Sequence, residues 1–138
     1  MRPANIKAVS TAPSHTAGDL TAARRVFGSA CEAIKTLGGA LGNEFTEAID
    51  TLIAVKGRVI VSGMGKSGHI ARKVAATLMS TGTPAQFIHP AEASHGDLGA
   101  VTRQDALLIL SWRGESAELS DLITYAKRFR IPLIGMAS

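Results

Sequence analysis

The sequence predicts an α/β fold: an open, mostly parallel sheet with flanking helices in a three-layer α/β/α arrangement. Three observations carry that prediction. Val59, Ile60 and Val61 form an uninterrupted β-branched run, which suits a strand covered on both faces, as in a parallel sheet. A glycine-rich turn, Gly63-Met-Gly-Lys-Ser-Gly68, follows that strand at once and opens a helical pattern. Beyond it, strand, helix, strand, strand, helix and strand patterns succeed one another, and right-handed crossovers place their helices on both faces of the sheet.

Taken in order, residues 1–17 mix proline, serine and threonine without periodicity, and a loose leader is expected there. The folded domain is then residues 18–138. Asp19 is a candidate cap for a helix whose apolar stripe is Leu20, Ala23, Phe27, Ala30, Ile34 and Leu37, the three-and-four spacing of one face. Gly38, Gly39 and Gly42 are expected to end it. Asn43 is the expected cap of a second helix with Phe45, Ile49, Leu52 and Ile53 on one side, and Gly57 its expected left-handed stop. The strand through Val61 follows.

After the glycine turn, residues 67–80 read as a helix with Ile70, Val74, Ala75 and Leu78 facing inward, closed by Thr81-Gly-Thr-Pro84. Residues 85–88 form a short second strand. Its following segment, residues 89–99, is long and dense in polar groups, the mark of a loop with a function. Asp105 precedes a third strand at 106–110, residues 111–116 turn, and residues 117–130 make a helix with Leu119, Leu122, Ile123, Ala126 and Phe129 inside. Residues 131–136 are the fourth strand.

Composition narrows the function classes. The 138 residues, 46% of them apolar, suffice for one domain with a real core. The net charge of +4 is spread along the chain and aromatics are few, which argues against a nucleic-acid surface. Cys31 is the single cysteine, so no internal disulfide forms and a reducing compartment is expected. With no apolar signal core at the start and no run of spanning length, the expectation is a cytoplasmic, soluble protein with no membrane partner.

In open α/β sheets ligands bind beyond the carboxyl ends of the strands. The loops at 64–67, 89–96 and 111–116 meet that condition, and a shared pocket is expected. Gly63, Gly65 and Gly68 bare the first turn of side chains, and the helix after it offers unpaired N–H groups and a positive dipole end, so an anion, most naturally a phosphate, belongs there. The turn matches the dinucleotide fingerprint G-x-G-x-x-G, but the acidic residue that pattern requires after the second strand is absent: Phe87-Ile88-His89 stands there. Gly65-Lys-Ser67 resembles the tail of a Walker loop, yet the first glycine of that motif falls on Ile60. A nucleoside triphosphate is not the expected ligand.

Gly63-Met-Gly-Lys-Ser-Gly-His-Ile70, Ser80-Thr-Gly-Thr-Pro84, His89-Pro90, Glu92-Ala-Ser-His-Gly-Asp-Leu-Gly99 and Gly114-Glu-Ser-Ala-Glu118 together resemble the sugar isomerase (SIS) domain of the D-arabinose 5-phosphate isomerases. The resemblance runs from about Asp19 to the end. It implies interconversion of D-ribulose 5-phosphate and D-arabinose 5-phosphate through an enediol(ate), which leads to Kdo and so to lipopolysaccharide or capsule, by a homotetramer. It also implies roles. Lys66, His95 and Glu118 match family active-site positions, Lys66 near the sugar oxygens and the other two for acid–base or ring-opening work. Ser67, Ser111 and Ser116 match the hydroxyls that hold the phosphate, beside Gly65. No metal or other cofactor is implied: His89, Glu92, His95 and Asp97 have no helical ligand spacing, and the reaction needs no metal.

The chain departs from the family twice. Where the family writes Ser-Asn-Ser-Gly-Glu-Ser, this chain has Ser111-Trp-Arg-Gly-Glu-Ser116, so Trp112 and Arg113 replace small polar residues, and the arginine either pairs with the phosphate or fills the pocket and abolishes binding. The chain also stops after the fourth strand, with no CBS repeats, and is expected to be the N-terminal portion of the domain. A catalytically incomplete, regulatory sugar-phosphate binding module is the alternative to an enzyme. Among the other polar groups, His89 is read as a loop-orienting residue beside Pro90, His69 as a surface or packing residue, and Glu115 and Asp97 as solvated or loop-bracing.

Overall fold

The sheet is fully parallel and four-stranded. In the computed structural model, which describes residues 16–137, β1 (Val59–Gly63), β2 (Ala85–Phe87), β3 (Ala106–Leu110) and β4 (Leu133–Met136) lie in the order β2-β1-β3-β4. Val59 pairs with Ala85 on one side and Ala106 on the other, and Leu107 pairs with Leu133. The two central strands are buried at every residue. That is why their sequences read as continuous apolar runs rather than as alternation.

Alternation is still there, divided between two cores. Ile60, Leu107 and Ile109 point to one face, where they meet Ile88, Ala93, Leu119, Leu122, Ala126 and Ile131. Val59, Val61, Leu108 and Leu110 point to the other, against Ala71, Ala75 and Ala85, with Leu52, Val74 and Leu78 packed alongside. The first face is covered by α4 (Pro90–Ser94) and α5 (Ser120–Phe129), the second by α3 (Gly65–Ser80). Each fully buried Leu or Ile here contributes about 1.5–3 kcal/mol of burial. The expected three-layer architecture is the one observed.

The chain divides into two units, Met1–Leu41 and Gly42–Ser138. In the first, α1 (Thr16–Ala40) is a single helix. The leader expected at residues 1–17 lies outside the described residues except for the last two, which are helical. Gly38 and Gly39 do not end α1; it runs on through Ala40, since glycine in a helix costs only about 1 kcal/mol and stops nothing by itself. In the second unit, α2 (Asn43–Ala54) begins with Asn43 inside the helix and Gly42 at the cap position, with no side-chain cap.

Several further expectations are corrected. Gly57 is not a left-handed stop: α2 ends at Ala54 with Val55 as its cap, and Gly57 is not among the positive-φ residues. Glycine is needed there for room, because a Cβ would collide with the Asp105 carboxylate and the Gln104 backbone. Ile70 does not face inward. It is 57% exposed, and Ala71, Val74, Ala75 and Leu78 make the packed stripe. The polar segment after β2 is mostly helical, with α4 followed by a single 3-10 turn at Asp97–Ala100. The helix expected at 117–130 is a 3-10 turn, Ala117–Leu119, followed by α5, and β4 begins at Leu133 rather than at 131.

Candidate functional site

Strand order locates the site. From β1 the chain crosses through α3 to β2 on one side, and β3 then lies on the other side of β1. The loops leaving β1 and β3 therefore part in opposite directions, and the crevice between them is the topological switch point where such sheets bind ligands. Gly63 and Leu110, paired across β1 and β3, end those strands together.

The three glycines of the turn do different work. A Cβ on Gly63 would lie 2.9 Å from the Leu110 carbonyl oxygen and 3.0 Å from the Ser67 carbonyl, and one on Gly68 would lie 2.6 Å from the Gly63 carbonyl oxygen. Both are glycine so that α3 can press onto the strand ends. Gly65 has open space around it and a φ of +56°, a left-handed conformation that glycine adopts without strain. That residue alone presents bare backbone outward. Helix geometry leaves the N–H groups of Gly65, Lys66 and Ser67 without intrahelical acceptors, and no side chain caps them at Met64.

Beside this helix start is a cavity of about 800 Å³ lined by Lys66, Ser67, Ile70, Leu110, Ser111, Trp112, Met136 and Ala137. One part of its wall is an ammonium with two hydroxyls, and the rest is apolar. Ser111 is held in place: its Oγ accepts from the Gly114 N–H at 3.1 Å and lies 3.3 Å from the Ser116 Oγ. Gly114, at φ +72°, makes the turn that brings Ser116 back onto Ser111. Two of the three expected phosphate hydroxyls thus share one turn, and Ser67 faces the same cavity.

The loop after β2 follows its own course. Ser62, fully buried in β1, donates to the Ile88 carbonyl at 2.7 Å and pins the exit of β2 beside β1. His89 caps α4, its Nδ1 accepting from the Ala91 N–H at 3.3 Å, which is the loop-orienting role expected of it. Its ring meets Phe87 edge-on, and Arg72 stacks over the Phe87 ring at 4.0 Å. Ser94 donates to the Asp121 carboxylate at 2.6 Å, tying α4 to α5. His95 ends α4 and is exposed, as are Glu118 in the 3-10 turn and Arg113. Among the described residues none of these three lines the cavity. Lys66, Ser67, Ser111 and the adjacent Gly65 and Ser116 are therefore brought together, whereas His95 and Glu118 stand on neighbouring loops. The sharing of one pocket holds for two of the three expected loops.

Sequence reasoning missed the apolar wall. Ile70 had the spacing of a core residue, and Met136 and Ala137 carry no chemical signal that marks a site. Trp112 was visible only as a departure from a family motif. Ser62 had one available signal: a lone hydroxyl in an otherwise apolar buried strand needs an acceptor nearby. Among the described residues no cluster of three His, Cys, Asp or Glu side chains is placed to hold a metal ion, and no helix is long and apolar enough to cross a membrane.

Comparison with known proteins agrees with this fold. The SIS domain family model matches residues 52–138. Arabinose 5-phosphate isomerase KdsD of Pseudomonas aeruginosa is 51% identical over 114 residues, covering 83% of this chain and 35% of that protein. KdsD of Escherichia coli strain K12 is 49% identical over 113 residues, covering 82% of this chain and 34% of that protein. The chain thus spans about a third of the length of the curated relatives it matches. Among solved structures, E. coli CFT073 c3406, in complex with arabinose 5-phosphate, superposes with a TM-score of 0.80 at 37% identity, covering 88% of this chain and 65% of that one. Phosphoheptose isomerase GmhA of Neisseria gonorrhoeae shares the fold, with a TM-score of 0.68 at 19% identity over 88% of this chain and 75% of that one. The parallel sheet, the uncapped helix behind a glycine turn and a family match that spans all four strands lead to one conclusion: the chain belongs to the SIS domain family.

Proposed function

We propose that the chain carries the sugar-phosphate site of an aldose–ketose isomerase that interconverts D-ribulose 5-phosphate and D-arabinose 5-phosphate. The observation that carries the reading is the cavity at the β1–β3 crevice, where the Lys66 ammonium, the Ser67 and Ser111 hydroxyls and the uncapped start of α3 converge. Neutral donors beside a helix N-terminus suit a phosphoryl group, with Ser116 hydrogen-bonded to Ser111 and Arg113 next along the turn. The names and identities of the KdsD relatives support the choice of pentose phosphate.

The reaction needs a base to remove the proton from the carbon beside the carbonyl, a relay that moves a proton between the two oxygens, and return of a proton to the neighbouring carbon. Lys66 stabilises the enediolate oxygen charge in this reading. His95 and Glu118 are the acid–base candidates. The reading extends to a cytoplasmic homo-oligomer supplying Kdo for lipopolysaccharide or capsule. The exposed thiol of Cys31 suits a reducing compartment, and exposed Phe45 and Ile53 on α2 suit association.

A second reading, a SIS-type module that binds sugar phosphate without turning it over, is favoured by one observation: His95 and Glu118 are absent from the cavity lining that holds Lys66. Incubation with D-ribulose 5-phosphate separates the two. Formation of D-arabinose 5-phosphate, with a fall of about 10- to 100-fold on Lys66→Ala from loss of one charged contact, supports the isomerase. Saturable binding without product supports the module. If neither binding nor product is detected, both readings are wrong.

A further inference from the structure

Trp112 is the only tryptophan in the chain, and it is 77% exposed. An indole left in water forgoes the burial that makes this side chain dominant in cores and interfaces. Its neighbours on the turn, Arg113, Gly114 and Glu115, offer it no apolar company. It is instead part of the wall of the cavity that holds Lys66 and Ser67, together with Ile70 and Met136, themselves 57% and 61% exposed.

The cavity therefore has two chemical halves. An inorganic anion needs only the ammonium and the hydroxyls. A ligand that uses the whole wall is an anion with a carbon skeleton attached, one that presents weakly polarised C–H groups to the negative face of an aromatic ring. A sugar phosphate has that form. We infer that Trp112 is the specificity-determining residue of the site: the indole carries the carbon face of the sugar, and it separates a sugar phosphate from bare phosphate. The inference rests on the sugar-phosphate reading above and adds to it which residue recognises the sugar. A nucleotide base would also stack on an indole, but the acidic residue that would hold its ribose at the end of β2 is lacking.

The lone tryptophan is its own reporter. Titrating the chain with D-arabinose 5-phosphate is expected to shift or quench its emission, while inorganic phosphate competes for binding and leaves the emission unmoved. Trp112→Ala is expected to weaken sugar-phosphate binding about threefold to tenfold, the worth of one aromatic contact, with phosphate affinity unchanged, and Trp112→Phe to restore most of the loss. Because the side chain is exposed, neither variant threatens the fold. Sugar phosphate that binds in competition with phosphate, with unmoved emission and wild-type affinity in Trp112→Ala, overturns the inference and leaves the proposed function standing. An equal loss of affinity for both ligands also overturns it, by making Trp112 a support of the turn. A response to adenosine monophosphate but not to the sugar phosphate assigns the indole to a base instead. Phosphate binding without any sugar-phosphate binding, or no binding of either, removes the function and the inference together.

Discussion

The N-terminal edge of the sheet hangs on one carboxylate, and Asp105→Ala is the perturbation that exposes it. Asp105 is 2% exposed. Its Oδ1 accepts the Arg58 N–H at 2.6 Å, and its Oδ2 accepts the Thr102 N–H at 2.7 Å and the Thr102 hydroxyl at 3.0 Å. It thereby joins the start of β1 to the turn before β3. The alanine variant leaves two partly buried backbone donors without acceptors, about 1–3 kcal/mol each. The Arg58 guanidinium lies 3.8 Å away with its side chain 39% exposed, so solvent screening holds that pair to under about 1 kcal/mol. The expected loss is about 3–5 kcal/mol, a large part of the roughly 5–15 kcal/mol a domain of this kind has. Asp105→Asn, which keeps one carbonyl acceptor, is expected to lose about half as much.

The same carboxylate sets a pH dependence. Burial alone pushes its pKa up, but hydrogen bonds from the Thr102 and Arg58 backbones and the Thr102 hydroxyl, helped by the Arg58 charge, outweigh burial and hold it below its ordinary value of 3.8. A depressed folded pKa means the unfolded chain binds the proton first. The contribution is therefore complete above 3.8 and is lost as pH falls from there through the folded pKa. Hydrogen exchange of the β1 and β3 amides, which reports opening of the central sheet, measures both effects. The gap between wild type and Asp105→Asn should be widest near neutral pH and shrink as the medium is acidified past the ordinary carboxylate range. A gap that is constant across that range, or widens in acid, refutes the account.

Two further substitutions probe the site's scaffold. Gly68→Ala places a Cβ 2.6 Å from the Gly63 carbonyl oxygen, a backbone atom that has no rotamer to move. The about 1 kcal/mol gain in helix propensity should be exceeded by overpacking of about 1–3 kcal/mol, so the midpoint of urea unfolding should fall; an unchanged or higher midpoint contradicts the close approach of α3 to β1. Ser94→Ala removes the 2.6 Å bond to Asp121 and should quicken amide exchange across residues 90–96 while leaving β1 and β3 protected. Uniform exchange across both regions means that this bond is not what ties α4 to α5.

The predictions from sequence succeeded where one physical signal dominated and failed where two competed. The central strands were legible because Val59-Ile-Val61 and residues 106–110 are buried on both faces, so the apolar run itself is the consequence of position. Strand order was not legible, since nothing in the residues says that β1 sits between β2 and β3. That order is what chooses the β1 and β3 loops as the site and leaves the β2 loop beside α5. Ile70 shows the same competition at the level of one side chain. It shares the spacing of Val74 and Leu78, yet Gly68 and Ala71 on either side of it are the residues of this part of α3 buried against the strands, and Ile70 is left at the edge of the stripe, beside the cavity. Periodicity leaves the centre of the apolar stripe open by a residue or so; packing on the strands fixes it at Gly68, Ala71 and Ala75. The apolar side chains that this packing leaves out, Ile70, Met136 and Trp112, line the cavity and face whatever occupies the crevice.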